Sequence, residues 1–286
     1  MVKIGFIGAG TVGTALAVLL DRRGYRVVAV SSRTPASARN LAAQFKGVEV
    51  YEHNQDVADA ADLVFITTPD AVIPVVAAEL KWRQGQSVIH CSGADSAATL
   101  EPARLAGAAA GCFHPLQTFA GVRQAIENIP GSTFALEAPE PLLGTLKEMA
   151  AALGGYWIEL KAGDKAAYHA AAVFACNYMV TLVKLAADLW ESFGVPRDQA
   201  IRALLPLLRG TLNNIENIGL PGCLTGPIAR GDSGTIQKHL ETLKKSAPGL
   251  LPTYQELGRQ TIPIAAAKGR ASEARLRELA RLLDHA

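Results

Sequence analysis

The sequence GAGTVG at residues 8–13 is the feature that most constrains the fold. It follows a short apolar run and opens a segment of helical periodicity that ends at Gly24. In such a strand–turn–helix unit, the glycines of GxGxxG allow a tight turn, close approach to a pyrophosphate, and packing of the helix on the strand. Amide groups at the start of the helix then face the phosphates. The pattern predicts a dinucleotide site formed by Gly8, Gly10, Thr11, Val12 and Gly13.

Strand-like and helix-like segments alternate through the rest of the first half. Apolar runs such as YRVVAVSSR, ADLVFITTP and QSVIHCSG are typical of buried parallel strands, and helical segments separate them. From about residue 163, one helical segment follows another without a strand candidate. We therefore predict an α/β protein: an N-terminal Rossmann domain with a doubly wound, mostly parallel sheet (residues 1–160), followed by an all-α domain for substrate binding and dimerisation (residues 161–286).

The end of the second predicted strand indicates which dinucleotide binds. NAD enzymes place a carboxylate about 20 residues beyond the glycines to bind the ribose hydroxyls. Here that place holds SSRTP, which offers hydroxyl groups and one guanidinium group. A guanidinium group suits a phosphate, so NADP(H) is the predicted cofactor. The residues concerned are Ser31, Ser32, Arg33 and Thr34, and the alternative for Arg33 is a solvated arginine at the start of a helix.

Composition excludes several classes of function. Lysine and arginine exceed aspartate and glutamate by 28 minus 26, which is too small a surplus for a nucleic-acid-binding surface. The N-terminus lacks the features of a signal peptide. The longest apolar stretch, residues 166–190, is interrupted by His169, Asn177 and Lys184, which argues against a membrane span. The four cysteines lack CxxC spacing, so we expect a cytoplasmic protein with reduced thiols and no metal site.

Polar residues follow the fourth, fifth and sixth predicted strands, at the edge where ligands bind in doubly wound sheets. Thr67, Thr68 and Pro69 follow the fourth strand, and Ser92 follows the fifth. These residues are predicted to contact the cofactor, and Ser92 also the substrate, although an ordinary turn and a helix cap are the respective alternatives.

His114 and Pro115 are expected just past the sixth strand. Because proline disfavours helix at the preceding residue, His114 is held extended, where its imidazole could exchange a proton with a substrate. The alternative is a histidine that closes the strand by bonding a backbone group. Gln117 and Thr118, which follow, could bind a ligand or the loop itself.

Several motifs resemble known families. FIGAGTVG, SSRTP and VFITTPD are similar to the cofactor half of the superfamily containing β-hydroxyacid, 6-phosphogluconate and prephenate dehydrogenases and pyrroline-5-carboxylate reductase. SVIHCSGADS, GCFHPLQTF, DKAAYHAAAVFACNY and LTGPIARGD resemble more closely an uncharacterised bacterial family, which joins a Rossmann-like domain to a helical C-terminal domain of unknown function. This resemblance covers nearly the whole chain. It implies an NADP-dependent oxidoreductase and supplies no substrate.

Lys165 and His169 are four residues apart on a predicted helix and therefore share a face. The superfamily that the chain resembles has a lysine followed four residues later by asparagine near the start of this helix, with the lysine as acid or base. His169 departs from that pattern. The alternative is a lysine that reaches solvent beside a core histidine. Asn177 lies too far along the helix to contact the same small substrate, so we expect a structural or interface role for it.

The sequence thus predicts hydride transfer between NADP(H) and a carbonyl, imine or hydroxyl carbon of a small, anionic substrate. The candidate catalytic residues are His114, Lys165 and His169. The candidate substrate-binding residues are Ser92, Gln117, Thr118 and Arg230. Arg230 could bind an anionic group or could be solvated while Asp232 caps the next helix. A non-catalytic NADP(H)-binding regulator and a prephenate-dehydrogenase-like enzyme are the alternatives. Since the helix over residues 163–193 is apolar around most of its circumference, we expect a homodimer.

Overall fold

The computed structural model describes residues 1–285, and the chain divides into two compact units, Met1–Cys176 and Asn177–Ala286. The prediction placed the domain boundary at residue 160. The first unit therefore also includes the start of the long helical segment that the prediction assigned to the second domain.

The first unit is built on an eight-stranded sheet with the order β3-β2-β1-β4-β5-β6-β7-β8. The strands are β1 Lys3–Ile7, β2 Arg26–Ser31, β3 Glu49–Tyr51, β4 Leu63–Ile66, β5 Ser87–His90, β6 Ala109–Leu116, β7 Thr133–Glu137 and β8 Tyr156–Glu159. Neighbouring strands run parallel, apart from the antiparallel pair β6 and β7. This arrangement confirms the predicted fold class.

Helices cover both faces of the sheet. They are α1 Thr11–Arg22, α2 Pro35–Ala42, α3 Asn54–Ala60, α4 Ile73–Glu79, α5 Glu101–Leu105, α6 Val122–Asn128, α7 Leu142–Ala152 and α8 Lys165–Ala172. Because successive side chains of a strand point to opposite faces, adjacent residues enter different cores. Phe6, for example, stacks on Phe65 in one core at a centroid distance of 5.0 Å, whereas Ile7 and Ile66 belong to the other.

Strand β6 extends through His114 and Pro115, so the prediction that these residues lie past the strand was wrong. The pairing with β5 reaches Cys112, opposite His90, whereas the pairing with β7 continues to Leu116. Beyond Cys112, β6 therefore has a described strand neighbour on one side only. A proline is tolerated at such an open edge because its missing N–H need not join a ladder there.

The second unit is helical. Its helices are α9 Tyr178–Glu191, α10 Arg197–Ile218, α11 Gly226–Arg230, α12 Ser233–Ser246, α13 Leu251–Lys268 and α14 Glu273–His285. A π-helical turn, Val173–Asn177, precedes α9. Ile236, Leu279 and Leu283 are fully buried in the core of this unit. The helical segment Lys165–Glu191 is long and apolar enough to cross a membrane by length and composition, and 6% of its most apolar stretch is buried.

Candidate active site and nucleotide cleft

The glycine turn is shaped by close backbone contacts. Gly8 has a φ of +108°, a left-handed conformation that favours glycine, and a Cβ there would lie 2.8 Å from the carbonyl carbon of Thr67. A Cβ on Gly13 would collide with the hydroxyl of Thr67, which itself donates to the Gly8 carbonyl at 2.7 Å. A Cβ on Gly10 would meet no atom within 4 Å. Gly8 and Gly13 therefore serve the turn and its packing, and Gly10 leaves open space in front of the helix.

Helix α1 begins directly after Gly10, and no side chain caps it. Its first turn contains Thr11, Val12 and Gly13 and has no acidic residue. The first N–H groups of a helix lack partners within it and attract negative charge. This end of α1 can therefore bind the pyrophosphate of a dinucleotide.

A cavity of about 850 Å³ lies beside the glycine turn. Gly8, Ser32, Arg33 and Thr68 are among the residues that line it. The Thr68 hydroxyl oxygen is buried without a hydrogen-bond partner among the described residues, and the Arg33 side chain forms no ion pair with any of them. An orphan hydroxyl and an unpaired guanidinium group fit a ligand with polar and phosphate groups, as NADP has.

Ser31, which was also predicted to bind the cofactor, has partners within the protein. The Ser31 side chain is buried, and its hydroxyl donates to Asn54 Oδ1 at 2.8 Å. The Ser31 carbonyl accepts the N–H of Gly8 at 2.9 Å, so Ser31 holds the turn in place. Thr34 occupies the N-cap position of α2 without a side-chain hydrogen bond, and Pro69 precedes a short 3₁₀ turn.

Lys165, at the first position of α8, is buried with 2% of its surface exposed. Its ammonium group donates to the carbonyl of Ser92 at 2.6 Å and contacts Cys112 Sγ at 2.9 Å. Despite the nearby ammonium group, burial raises the pKa of the Cys112 thiol to about 11, so the thiol stays protonated at neutral pH. Lys165 therefore joins α8 to the carboxyl ends of β5 and β6. Its ammonium group brings a positive charge to this edge of the sheet.

Tyr168 and His114 contact each other close to the Lys165 ammonium group. The phenol oxygen of Tyr168 lies 2.8 Å from Nδ1 of His114, and Lys165 Nζ lies 5.8 Å from the centre of the Tyr168 ring. The rings of His114 and His169 are 6.4 Å apart. A Cβ on Gly93 would lie 2.5 Å from His169 Cδ2 and 2.9 Å from His114 Nε2. The two imidazoles therefore fit only because residue 93 is glycine.

Burial sets the protonation states of the partly exposed pair. It lowers the pKa of His114 to about 3, with the charge of Lys165 as the next contribution. Burial also raises the pKa of the Tyr168 phenol well above its usual range. At neutral pH, both groups are therefore neutral, and one hydrogen joins the phenol oxygen to the imidazole.

The loop after β5 is fixed by buried polar contacts. His90 Nδ1 accepts the N–H of Ser92 at 3.1 Å, so Nε2 carries the proton and donates to the Ser96 carbonyl at 3.1 Å. The Ser92 hydroxyl lies 3.0 Å from a carboxylate oxygen of Asp70 and 2.9 Å from one of Asp95. Ser92 is thus buried, and its carbonyl rather than its hydroxyl faces Lys165.

The remaining predicted residues have contacts within their own loops and helix ends. The Gln117 amide donates to the Asn128 carbonyl at 3.3 Å and accepts the N–H of Thr118 at 2.8 Å, so both residues help to fold their own loop. In the second unit, Arg230 lies 3.9 Å from Asp232, which caps α12 by accepting the N–H of Thr235 at 3.0 Å. Asn177 closes the π-helical turn before α9.

Tyr168 is the residue that sequence reasoning missed. Lys165 and His169 were placed on one helical face because they are four residues apart. A spacing of three residues gives the same proximity, and Tyr168 lies three residues beyond Lys165. The pattern that selected His169 therefore also selects Tyr168, whose phenol carries an exchangeable proton.

The fold and the nucleotide cleft are those of a Rossmann-type protein that uses NADP(H). Comparison with known families supports this class: residues 3–93 match the family described as NADP oxidoreductase, coenzyme F420-dependent. Residues 132–261 match a domain of unknown function. Both domain matches lie in this one chain, which confirms the resemblance found in the sequence and the NADP cofactor.

Solved structures show the same fold. A Bacteroides fragilis protein assigned as an NADP oxidoreductase is 28% identical, with a TM-score of 0.69 over 91% of this chain and 97% of that one. A reductive aminase of Aspergillus terreus, solved with NADPH and ethyl-5-oxohexanoate, shares the fold at 16% identity, with a TM-score of 0.64 over 99% of this chain and 93% of that one. Pyrroline-5-carboxylate reductase of Streptococcus pyogenes also shares it, at 16% identity, with a TM-score of 0.60 over 98% of each chain.

One curated relative matches over a shorter stretch. The 2-(hydroxymethyl)glutarate dehydrogenase of Eubacterium barkeri is 38% identical over 72 residues, which are 25% of this chain. The chain spans 23% of the length of that enzyme in this match. The similarity thus concerns a segment and supports the oxidoreductase class without defining a substrate.

Proposed function

We propose that the protein transfers a hydride between NADP(H) and the carbonyl, imine or hydroxyl carbon of a small substrate. The observation that carries this proposal is the 2.8 Å contact between Tyr168 and His114. It places an exchangeable proton at the edge of the sheet where ligands bind, within the same compact unit as the nucleotide cleft.

NADPH supplies the hydride when it is bound, and the protein must then supply a proton to the oxygen or nitrogen of the substrate. We assign this step to the phenol of Tyr168. When His114 Nδ1 carries the imidazole hydrogen, it donates to the phenol oxygen and leaves the phenol hydrogen free for the substrate. Burial disfavours the resulting phenolate, and the hydrogen bond from His114 and the positive charge of Lys165, 5.8 Å from the ring centre, oppose this effect.

Lys165 has a different role in this proposal. Its ammonium group is buried and directed at Ser92 and Cys112. We therefore assign it to positioning α8 and to electrostatic support of Tyr168. The resemblance to lysine-dependent dehydrogenases implies instead that the lysine exchanges the proton itself. The two roles differ in whether Tyr168 is needed for turnover.

The anionic character proposed for the substrate depends on Arg230 alone. This side chain is half exposed, and its 3.9 Å distance to Asp232 indicates a weak ion pair. A guanidinium group of this kind suits a carboxylate, which supports an anionic substrate. A cytoplasmic location likewise remains a prediction.

The experiment that tests the function is a search for turnover with NADPH deuterated at the transferred position. Aldehydes, ketones, 2-oxo acids, cyclic imines and coenzyme F420, which the family description names, form the panel. The expected result is deuterium on the reduced carbon of one class, detected by mass spectrometry. Saturable NADPH binding without transfer to any class would instead favour a non-catalytic regulator, and oxidation of prephenate with NADP would identify the prephenate-dehydrogenase-like alternative.

A homodimer is the second part of the proposal. The second unit exposes apolar side chains on α9 and α10, including Val180 at 69% and Leu207 at 67% of their surface. Exposed apolar surface of this kind marks interaction sites. We expect light scattering to give a dimer mass at micromolar concentration and Val180→Glu with Leu207→Glu to give monomers. Leu105→Glu, at an exposed position of the first unit, is the control, and a monomeric wild type would contradict the proposal.

A further inference from the structure

The nucleotide cleft contains a second arginine that the cofactor prediction did not include. Pro35, Ala38 and Arg39 of α2 all line the cavity that also contains Arg33. Their spacing of three and four residues places them on one face of the helix. Residues 37, 40 and 41 line a separate cavity on the other side of α2. The orientation of α2 thus directs Arg39, and not Asn40 or Leu41, towards the nucleotide cavity.

The charge of the cleft favours a second arginine beside Arg33. A phosphate monoester carries about 1.5 to 2 negative charges at neutral pH. The cavity is also lined by the carboxylate residues Glu52 and Glu79. The single positive charge of Arg33 would not balance the negative charge of the phosphate beside these carboxylates. A second guanidinium group in the same cavity supplies the missing positive charge.

Both guanidinium groups are available for a ligand. Neither Arg33 nor Arg39 forms an ion pair or a side-chain hydrogen bond with any residue between 1 and 285, and both side chains are exposed. Other arginines of the first unit are engaged, as Arg104 is with Glu101 at 2.6 Å. A ligand phosphate therefore does not have to break an existing ion pair to bind Arg39.

We propose that Arg39 binds the 2′-phosphate of NADP(H) together with Arg33 and so determines the preference for NADP(H) over NAD(H). This inference rests on the NADP cofactor assigned above. It adds a specificity residue that lies six positions beyond Arg33, on α2 rather than in the loop after β2.

The test compares two probes that differ only by this phosphate. Adenosine 2′,5′-bisphosphate and 5′-AMP are titrated by calorimetry into the wild type and into Arg39→Ala, Arg39→Lys, Arg33→Ala and the double variant. Arg39→Ala should weaken the affinity for the bisphosphate about tenfold, since a charge-assisted contact to the phosphate is lost. The affinity for 5′-AMP should not change. Arg39→Lys should recover part of the affinity.

A matched control removes the same charge at the other end of a strand. Arg26 is exposed at the first position of β2, opposite Lys3 and thus at the end of the sheet away from the cleft. Arg26→Ala should bind both probes as the wild type does. A similar loss in Arg26→Ala would show that overall charge, and not a contact, sets the affinity, and would overturn the proposal.

The outcomes separate this inference from the cofactor assignment. A wild type that binds both probes equally would contradict the NADP assignment itself. A wild type that prefers the bisphosphate, with Arg39→Ala retaining the full preference, would overturn only the role of Arg39. Equal weakening of both probes by Arg39→Ala would show that the side chain supports the cleft without contacting the phosphate, and would also overturn it.

Discussion

The phenol oxygen of Tyr168 lies 2.8 Å from Nδ1 of His114, and the two rings stand nearly perpendicular at 89°. This contact joins α8 to the end of β6, two elements that are 54 residues apart in sequence. It leaves Nε2 of His114 directed towards Gly93. Because one ring nitrogen is engaged by a phenol, the imidazole can hold or pass a proton without becoming charged.

Tyr168→Phe tests the phenol as the proton donor. Loss of the hydroxyl removes the proton source and leaves the ring in place, so we expect turnover to fall about 10²- to 10⁴-fold. The dissociation constant of NADPH, measured by fluorescence titration, should not change. Tyr156→Phe, at an exposed position of β8, should behave as wild type. Full turnover by Tyr168→Phe would assign the proton transfer to another group, with Lys165 as the next candidate.

The lowered pKa of His114 predicts how the free energy of unfolding depends on pH. Its pKa is lowered to about 3 in the folded protein, compared with 6.5 for an ordinary histidine. Between these values the unfolded chain binds the proton and the folded protein does not, so stability falls as pH decreases from 6.5 towards 3. At pH 5, the free energy of unfolding should be about 1 to 2 kcal/mol lower than at neutral pH, after allowance for the partial exposure of His114.

The measurement is the free energy of unfolding in urea at pH 5 and at pH 7.5. His114→Gln removes the titrating group, so the difference between the two pH values should shrink by that amount. His53→Gln, at an exposed histidine, should leave the difference as in the wild type. An unchanged pH dependence in His114→Gln would mean that His114 is not buried as the structure places it.

Local sequence patterns predicted the parts of the molecule that depend on neighbouring residues. The glycine turn needs a left-handed residue at position 8 and no side chain at position 13, and both needs are visible as GxGxxG. Arg33 lies two residues beyond the end of β2, so its place at the carboxyl edge could be inferred. The alternation of apolar runs and helical segments was likewise sufficient to predict the doubly wound sheet.

The features that the sequence did not predict depend on contacts between residues distant in sequence. Strand β6 continues through Pro115 because β7 pairs with it antiparallel, and neither segment carries a local signal of that partner. The Ser31 hydroxyl faces Asn54, 23 residues away, although its position beside Arg33 suggested a cofactor contact. Tyr168 shares a helical face with Lys165, but only the packing of α8 on β6 brings it to His114. Such contacts follow from tertiary structure and have no fixed spacing in sequence.

Lys165→Ala tests the positioning role of the buried lysine. The substitution removes its packed methylene groups and the ammonium group that binds the Ser92 carbonyl. We expect a loss of about 2 to 4 kcal/mol in the free energy of unfolding. Lys46→Ala, at an exposed position, should cost little. Equal stability of both variants with a selective loss of turnover in Lys165→Ala would favour a lysine that exchanges the proton itself.

Gly93→Ala tests whether the spacing of the two imidazoles matters for turnover. The added Cβ would lie 2.5 Å from His169 Cδ2 and 2.9 Å from His114 Nε2, so at least one ring must move. Since displacements of about 1 Å in an active site can reduce rates about 10²-fold, we expect a loss of turnover of that order. The overpacking should also cost about 1 to 3 kcal/mol in stability.

The matched control for Gly93→Ala is Gly121→Ala. Gly121 has an extended backbone with a φ of −178°, and its Cβ would lie 3.9 Å from the nearest atom, Oε1 of Gln124. Neither turnover nor the affinity for NADPH should change in this variant. In Gly93→Ala the affinity for NADPH should also persist, because the glycine turn and Arg33 follow other strands, β1 and β2. Wild-type turnover by Gly93→Ala would show that the positions of His114 and His169 do not limit the reaction.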